Sequence, residues 1–213
     1  MTRPEDASGV PARLWLREAT HRLHLDLHAH PLYRRLPEPD LTYQELRATA
    51  AVTYSAAGVV EASRDRRQIW PELSLSDHLQ ALERDLGDTE DLTPQPGQSH
   101  LGTEAGLLGA LYVIHGSAFG AASLAKPVRR AVPSAPKSFL MPREAEAWRF
   151  LCQLLDAVSA ADFPLLAEGA KEVFHNYKRL ADFQLQICRA SSPLGLFKGI
   201  PLAGAPAWPA ASR

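Results

Sequence analysis

Apolar positions near the start of the chain recur every three or four residues: Leu16, Leu23 and Leu27, with Thr20 in the same stripe, fall on one face of a helix. Pro31 ends the pattern, so the spacing predicts a first helix over about Pro11 to His30. Thr42 followed by Glu45 is a capping box and opens a second helix that continues through "TAAVTYSAAGVVEASRDR". "SLSDHLQALERDL" reads as a short third helix, and the polar stretch "GDTEDLTPQPGQSH" after it reads as a loop.

From Thr103 a long, helix-like apolar run carries glycines at 106, 109, 116 and 120 and a proline at 127. These residues predict a broken or kinked helix, because glycine and proline weaken a regular one. After "PSAPKSFLMP", a loop, Trp148, Leu151, Leu155 and Val158 mark another amphipathic helix. A last helix carries Val173, Phe174, Tyr177, Leu180 and Gln184. No strand is predicted, for no period-two alternation is sustained and no hairpin turn separates β-branched runs. The expectation is an all-α, single-domain bundle of about six or seven helices over residues 11–190. Residues 1–10 are expected to be a flexible lead, and 191–213, rich in Pro, Gly and Ala, an irregular tail.

Composition narrows the function classes. The chain has 213 residues, within the range of one hydrophobic core; 46% are hydrophobic and 22% charged, as in soluble globular domains. A formal net charge of −1 and a pI near 6.7 supply no global field toward nucleic acid or an anionic membrane, so neither is expected as a partner. Cys152 and Cys188 form no metal-type cluster and read as free thiols in a reducing compartment. "MTRPEDASGV" lacks the apolar core of a signal peptide, and no stretch approaches the ~20 apolar residues of a membrane span. The expected location is the cytoplasm.

The chemistry-bearing stretch is "LREATHRLHLDLHAH", with four histidines between His21 and His30. His21, His24 and His28 share one helix face through spacings of three and four. The plainest reading leaves them as hydrated surface side chains. A second reading is a carboxylate-bridged dimetal site, since Glu-x-x-His occurs as Glu18 with His21 and as Glu172 with His175. That site needs an inward glutamate from each of two other helices, for which Glu61 and Glu104 are the candidates.

A third reading combines "LREATHRLH" with "YVIHGSAFGAA" about ninety residues later. In that order and on an all-α background, the pair resembles the bacterial heme oxygenases, including those that accompany phytochrome photoreceptors. The resemblance spans residues 12 to 188. It implies a heme-oxygenase-like helical fold and an enzyme that opens protoheme to biliverdin, carbon monoxide and iron. Heme is then both substrate and cofactor, O2 the oxidant, and electrons come from an external donor such as a ferredoxin or flavoprotein reductase, since the chain carries no dinucleotide fingerprint. A bacteriophytochrome is an implied acceptor of the biliverdin.

By the same resemblance His24 is the proximal iron ligand, while Arg17, His21 and Tyr112 serve the propionates. Gly116, Ser117 and Gly120 belong to the distal, catalytic segment, and Phe174 and Tyr177 to the pocket wall. The chain departs from the family at His28, where a carboxylate often orients the ligand, at Ser117, often an aspartate, and at Ala121, often a glycine. His115, frequently acidic in the bacterial branch, is expected to face solvent. A non-enzymatic heme carrier of the same fold is the alternative from another functional class.

Overall fold

The computed structural model describes residues 10–87, 99–133, 138–140 and 144–190, and the expectations for 1–9, for most of the loop after Leu86 and for the tail 191–213 lie outside these. The described residues form seven α-helices: α1 Ala12–His28, α2 Pro31–Arg34, α3 Tyr43–Arg67, α4 Ser76–Leu86, α5 Glu104–Ala131, α6 Ala145–Asp156 and α7 Phe163–Ala190. No strand occurs among them.

Helix boundaries follow local hydrogen-bonding needs. The Thr42 hydroxyl accepts the Glu45 N–H at 3.2 Å, and the Glu45 carboxylate accepts the Thr42 N–H at 2.9 Å, which completes the predicted capping box of α3. Thr103 caps α5 by accepting the Gly106 N–H at 3.0 Å. The first helix stops two residues short of the predicted His30, because His30 is spent as the N-cap of α2: its Nδ1 accepts the Leu32 N–H at 3.2 Å, and Pro31 fills the first turn. The last helix begins at Phe163, before the stretch its apolar stripe marked out, with Pro164 in the first turn, where a missing N–H costs nothing.

The expected interruption of the long glycine-containing helix is not found. α5 runs unbroken through Gly106, Gly109, Gly116, Gly120 and Pro127. Gly109 and, on α7, Gly169 serve packing. A Cβ on Gly109 would lie 1.9 Å from the Leu166 carbonyl oxygen of α7, and one on Gly169 of α7 would lie 1.8 Å from the Gly106 carbonyl. Only bare backbone allows the two helices to cross this closely.

α7 is the spine of the bundle: α1, α3 and α5 all pack along it, while α6 touches both α1 and α5. The main apolar core lies among these helices and includes Leu16, Val52, Leu107, Leu111, Ile114, Leu151 and Leu166. A second core of Leu36, Leu46, Leu82, Leu86, Val128 and Leu140 joins α3, α4 and the end of α5. By length and composition α5 does match a membrane span, which the sequence reading did not anticipate. Half of its most apolar 18-residue window is buried inside the bundle, where such a run serves as core. Cys152 and Cys188 are free thiols, half-buried and buried respectively, and burial pushes both upward in pKa.

Candidate functional site

The site is assembled from α1, α5, α6 and α7. On α1, the apolar stripe that anchors the helix is buried at Leu16 and Thr20 and only partly buried at Leu23 and Leu27, nearer its C-terminal end. His24 projects beside this stripe and remains exposed. Its imidazole meets the Phe174 ring of α7 edge to face, with centroids 6.2 Å apart. Its Nε2 lies 3.1 Å from Nε2 of His28, one turn along. Desolvation first, and then the neighbouring charges of His28, His21 and Arg17, draw the His24 pKa down from 6.5 to about 4. At neutral pH the ring therefore carries no proton charge and keeps a lone pair for a metal.

The middle of α5 carries Gly116, Ser117 and Gly120, with Gly116 next to α6. A Cβ on Gly116 would meet only the Trp148 ring of α6, at 4.0 Å, so the position has ordinary space rather than backbone before it. Ser117 is exposed, and its hydroxyl donates to the Ile114 carbonyl at 2.8 Å. Gly120 is half-exposed and its carbonyl accepts from the Ser123 hydroxyl at 2.7 Å. Tyr112, one turn before Gly116, lies 5.8 Å from Trp148 between ring centroids, and the half-exposed side of Trp148 also takes the edge of Phe119 at 5.1 Å.

Arg17 ties the two halves electrostatically, since its charge acts on both His24 and Tyr112. Burial is nevertheless the larger influence on the Tyr112 phenol, and raises its pKa. A salt bridge of 3.8 Å between Arg13 and Asp156 joins α1 to α6 at the same end. His21 is exposed on the turn before His24. Tyr177 is buried one turn beyond Phe174 and acts on the buried hydroxyl of Tyr33.

Two sequence expectations fail here. His115 does not face solvent: it is 1% exposed, with Nε2 3.3 Å from the Leu73 carbonyl, so it braces α5 against the segment before α4. The dimetal reading also loses its ligands. Glu61 is buried and already occupied, accepting from Arg64 at 2.8 and 2.9 Å, from Ser74 and Ser76 at 2.9 Å, and from the Leu75 N–H at 3.0 Å. Glu18 and Glu104 are exposed, and no cluster of three metal-ligating side chains exists among the described residues. Sequence reasoning placed Trp148 in the core stripe of α6 and missed its position against Gly116; its half-burial next to other aromatics becomes visible only in three dimensions.

A heme fits the residues present. A neutral, exposed imidazole stands beside the apolar wall of Leu23, Leu27 and Phe174, α5 carries a side-chain-free position next to Trp148, and the charge of Arg17 acts on Tyr112. That is a donor set for one metal axial bond, a flat apolar ring and acidic substituents.

The same architecture occurs in solved structures. A heme oxygenase from Leptospira interrogans superposes with a TM-score of 0.65 at 18% identity, covering 82% of this chain and all of that one. A heme oxygenase from the cyanobacterium Synechocystis, in complex with heme, gives 0.63 at 15% identity over 85% of this chain and 96% of that one. The heme oxygenase of Neisseria meningitidis, solved with NO and CO bound, gives 0.58 at 18% identity over 84% and 94%. No protein-family model matches the sequence, and no curated protein matches it. The chain thus has the heme oxygenase fold, with little sequence in common with these structures.

Proposed function

We propose that the protein is a heme oxygenase, which binds protoheme through His24 and opens it to biliverdin with release of carbon monoxide and iron. The observation that carries this reading is an exposed, neutral His24 on α1 set beside the Phe174 ring of α7 and the Leu23–Leu27 stripe, on a bundle of the heme oxygenase fold. Bound heme supplies the iron at which O2 is reduced and the ring that is opened.

The chain's own residues do the rest. His24 holds the iron from one side through Nε2, which requires its contact with His28 to open. Phe174 and the Leu23–Leu27 stripe exclude water from the ring face, with Tyr177 packed behind Phe174. Arg17, Tyr112 and His21 would receive the propionates. Gly116 and Gly120 would add no side chain where O2 has to enter, and Ser117 can orient a water by turning its hydroxyl from the Ile114 carbonyl. Electrons come from an external ferredoxin or flavoprotein reductase, and a bacteriophytochrome is a fitting acceptor for the bilin.

A heme carrier is favoured by one feature, the serine at 117 with its hydroxyl bound to its own helix, which offers no carboxylate for proton delivery. One experiment separates the two. Hemin is titrated into the purified chain, and ascorbate or a ferredoxin system is added in air with catalase present to exclude peroxide bleaching. The oxygenase gives a His24-dependent Soret band that decays as bilin absorbance rises; a Soret band that persists under reductant makes the protein a carrier. Loss of the imidazole-ligated spectrum in His24→Ala is expected, and an unchanged spectrum there would sink both readings.

A further inference from the structure

We infer that His24 and His28 form a chelating site for a divalent transition-metal ion in the heme-free protein, and that a metal held there shuts heme out of the same nitrogen. The two side chains sit one turn apart on α1, a regular helix, and their Nε2 atoms converge to 3.1 Å at an accessible position of that face. A metal ion about 2.0–2.1 Å from each nitrogen requires the two nitrogens to be about 2.9 Å apart for a right-angled pair of bonds and about 3.3 Å apart for a tetrahedral pair. The observed separation falls between these, so both bonds can be made without repacking the helix.

At present one Nε2 donates its hydrogen to the other. Chelation moves that hydrogen to Nδ1 of the same ring, so both rings stay neutral, two lone pairs point at the metal, and no proton is gained or lost. Imidazole pairs select borderline ions such as Ni2+, Cu2+ and Zn2+ over Mg2+ or Ca2+. The remaining coordination positions are left to water, because no third histidine, cysteine or carboxylate joins a cluster among the described residues. All eight histidines of the chain fall within the described residues, and His24–His28 is the pair whose Nε2 atoms meet. The chelate itself stands independently of the oxygenase reading; the exclusion of heme rests on His24 as the iron ligand.

The probe is Ni2+, titrated calorimetrically into the heme-free full chain in a non-chelating buffer. One ion per chain is expected, with affinity at least tenfold weaker in His24→Ala and in His28→Ala and within twofold of wild type in His175→Ala. Ni2+ should also raise the thermal midpoint of wild type and of His175→Ala but not of His28→Ala, which confirms that the variant is folded and merely unable to bind. Equal Ni2+ affinity in wild type and His28→Ala overturns the site. In the second arm, hemin is offered to Ni2+-saturated and metal-free chains. At least tenfold slower appearance of the imidazole-ligated Soret band on the loaded chain supports exclusion, and identical uptake overturns it. Failure of hemin to bind the metal-free chain would tell against the oxygenase reading alone, because the Ni2+ isotherm is read without heme.

Discussion

Among single residues, Glu61 carries the largest concentration of polar contacts. Its carboxylate is buried against the Arg64 guanidinium and holds Ser74, Leu75 and Ser76 at the start of α4, and these partners outweigh its desolvation and bring its pKa down to about 2. Removing the charge strands Arg64 in the interior, so Glu61→Gln is expected to cost about 3–5 kcal/mol in urea unfolding at pH 7. A carboxylate with its folded pKa depressed contributes in full above its unfolded value near 4.5 and loses that contribution as pH falls toward 2. Wild type should therefore lose stability between pH 4.5 and 2 more steeply than Glu61→Gln, and parallel curves would contradict the assignment. His30 shows the same economy of use: Nδ1 caps α2, which leaves Nε2–H to donate to Asp182 of α7 at 3.1 Å. His30→Ala should cost about 1–2 kcal/mol through the lost cap and bond. Neither role is written in the sequence as such. Glu61 could be weighed there only as a metal ligand and His30 only as one more histidine in a run, because Ser74 to Ser76 for the one and Asp182 for the other are brought in by other elements.

At the level of elements, helix existence and type were legible and the purpose of the glycines was not. Periodicity and caps located α1, α3, α4 and α5 to within a residue or two, since the amphipathic stripe and the capping box are local signals. A glycine in a helix, by contrast, has two opposite explanations, a break or a close approach, and only the facing helix decides between them. The structure separates the two halves of α5. Gly109, with Gly169 opposite, is a contact glycine, so Gly109→Ala and Gly169→Ala must push backbones apart and should each destabilise by about 1–3 kcal/mol or more. Gly116 has space, and Gly116→Ala should leave stability unchanged or raise it by about 0.5–1 kcal/mol, the ordinary gain for alanine over glycine within a helix. Chemical denaturation of the three variants checks the order. A Gly116→Ala protein as unstable as Gly109→Ala would place Gly116 in the packing and remove it from the candidate site. The same contrast explains His115, whose position next to the candidate site suggested solvent, whereas the rotation of α5 turns it inward to Leu73.

On the scale of the whole molecule, α1 and α5 each pack along α7 and each touch α6, so a ligand that engaged both would join elements that otherwise meet chiefly through α7 and α6. A heme bound to the folded chain alone must stabilise it by mass action, by about 2.7 kcal/mol when free hemin is at 100 times its dissociation constant. For a chain of this size each kcal/mol moves the thermal midpoint by about 2–4 °C, which gives an expected rise of about 5–11 °C. Dependence on His24 distinguishes specific ligation from hemin adhering to apolar surface such as the exposed Phe119 and Phe183. His24→Ala should melt at nearly the wild-type temperature without heme, because the ring is exposed and its loss empties no core, and should gain little when hemin is added. A His24→Ala chain stabilised by hemin as much as wild type would mean that the heme lies elsewhere on the bundle.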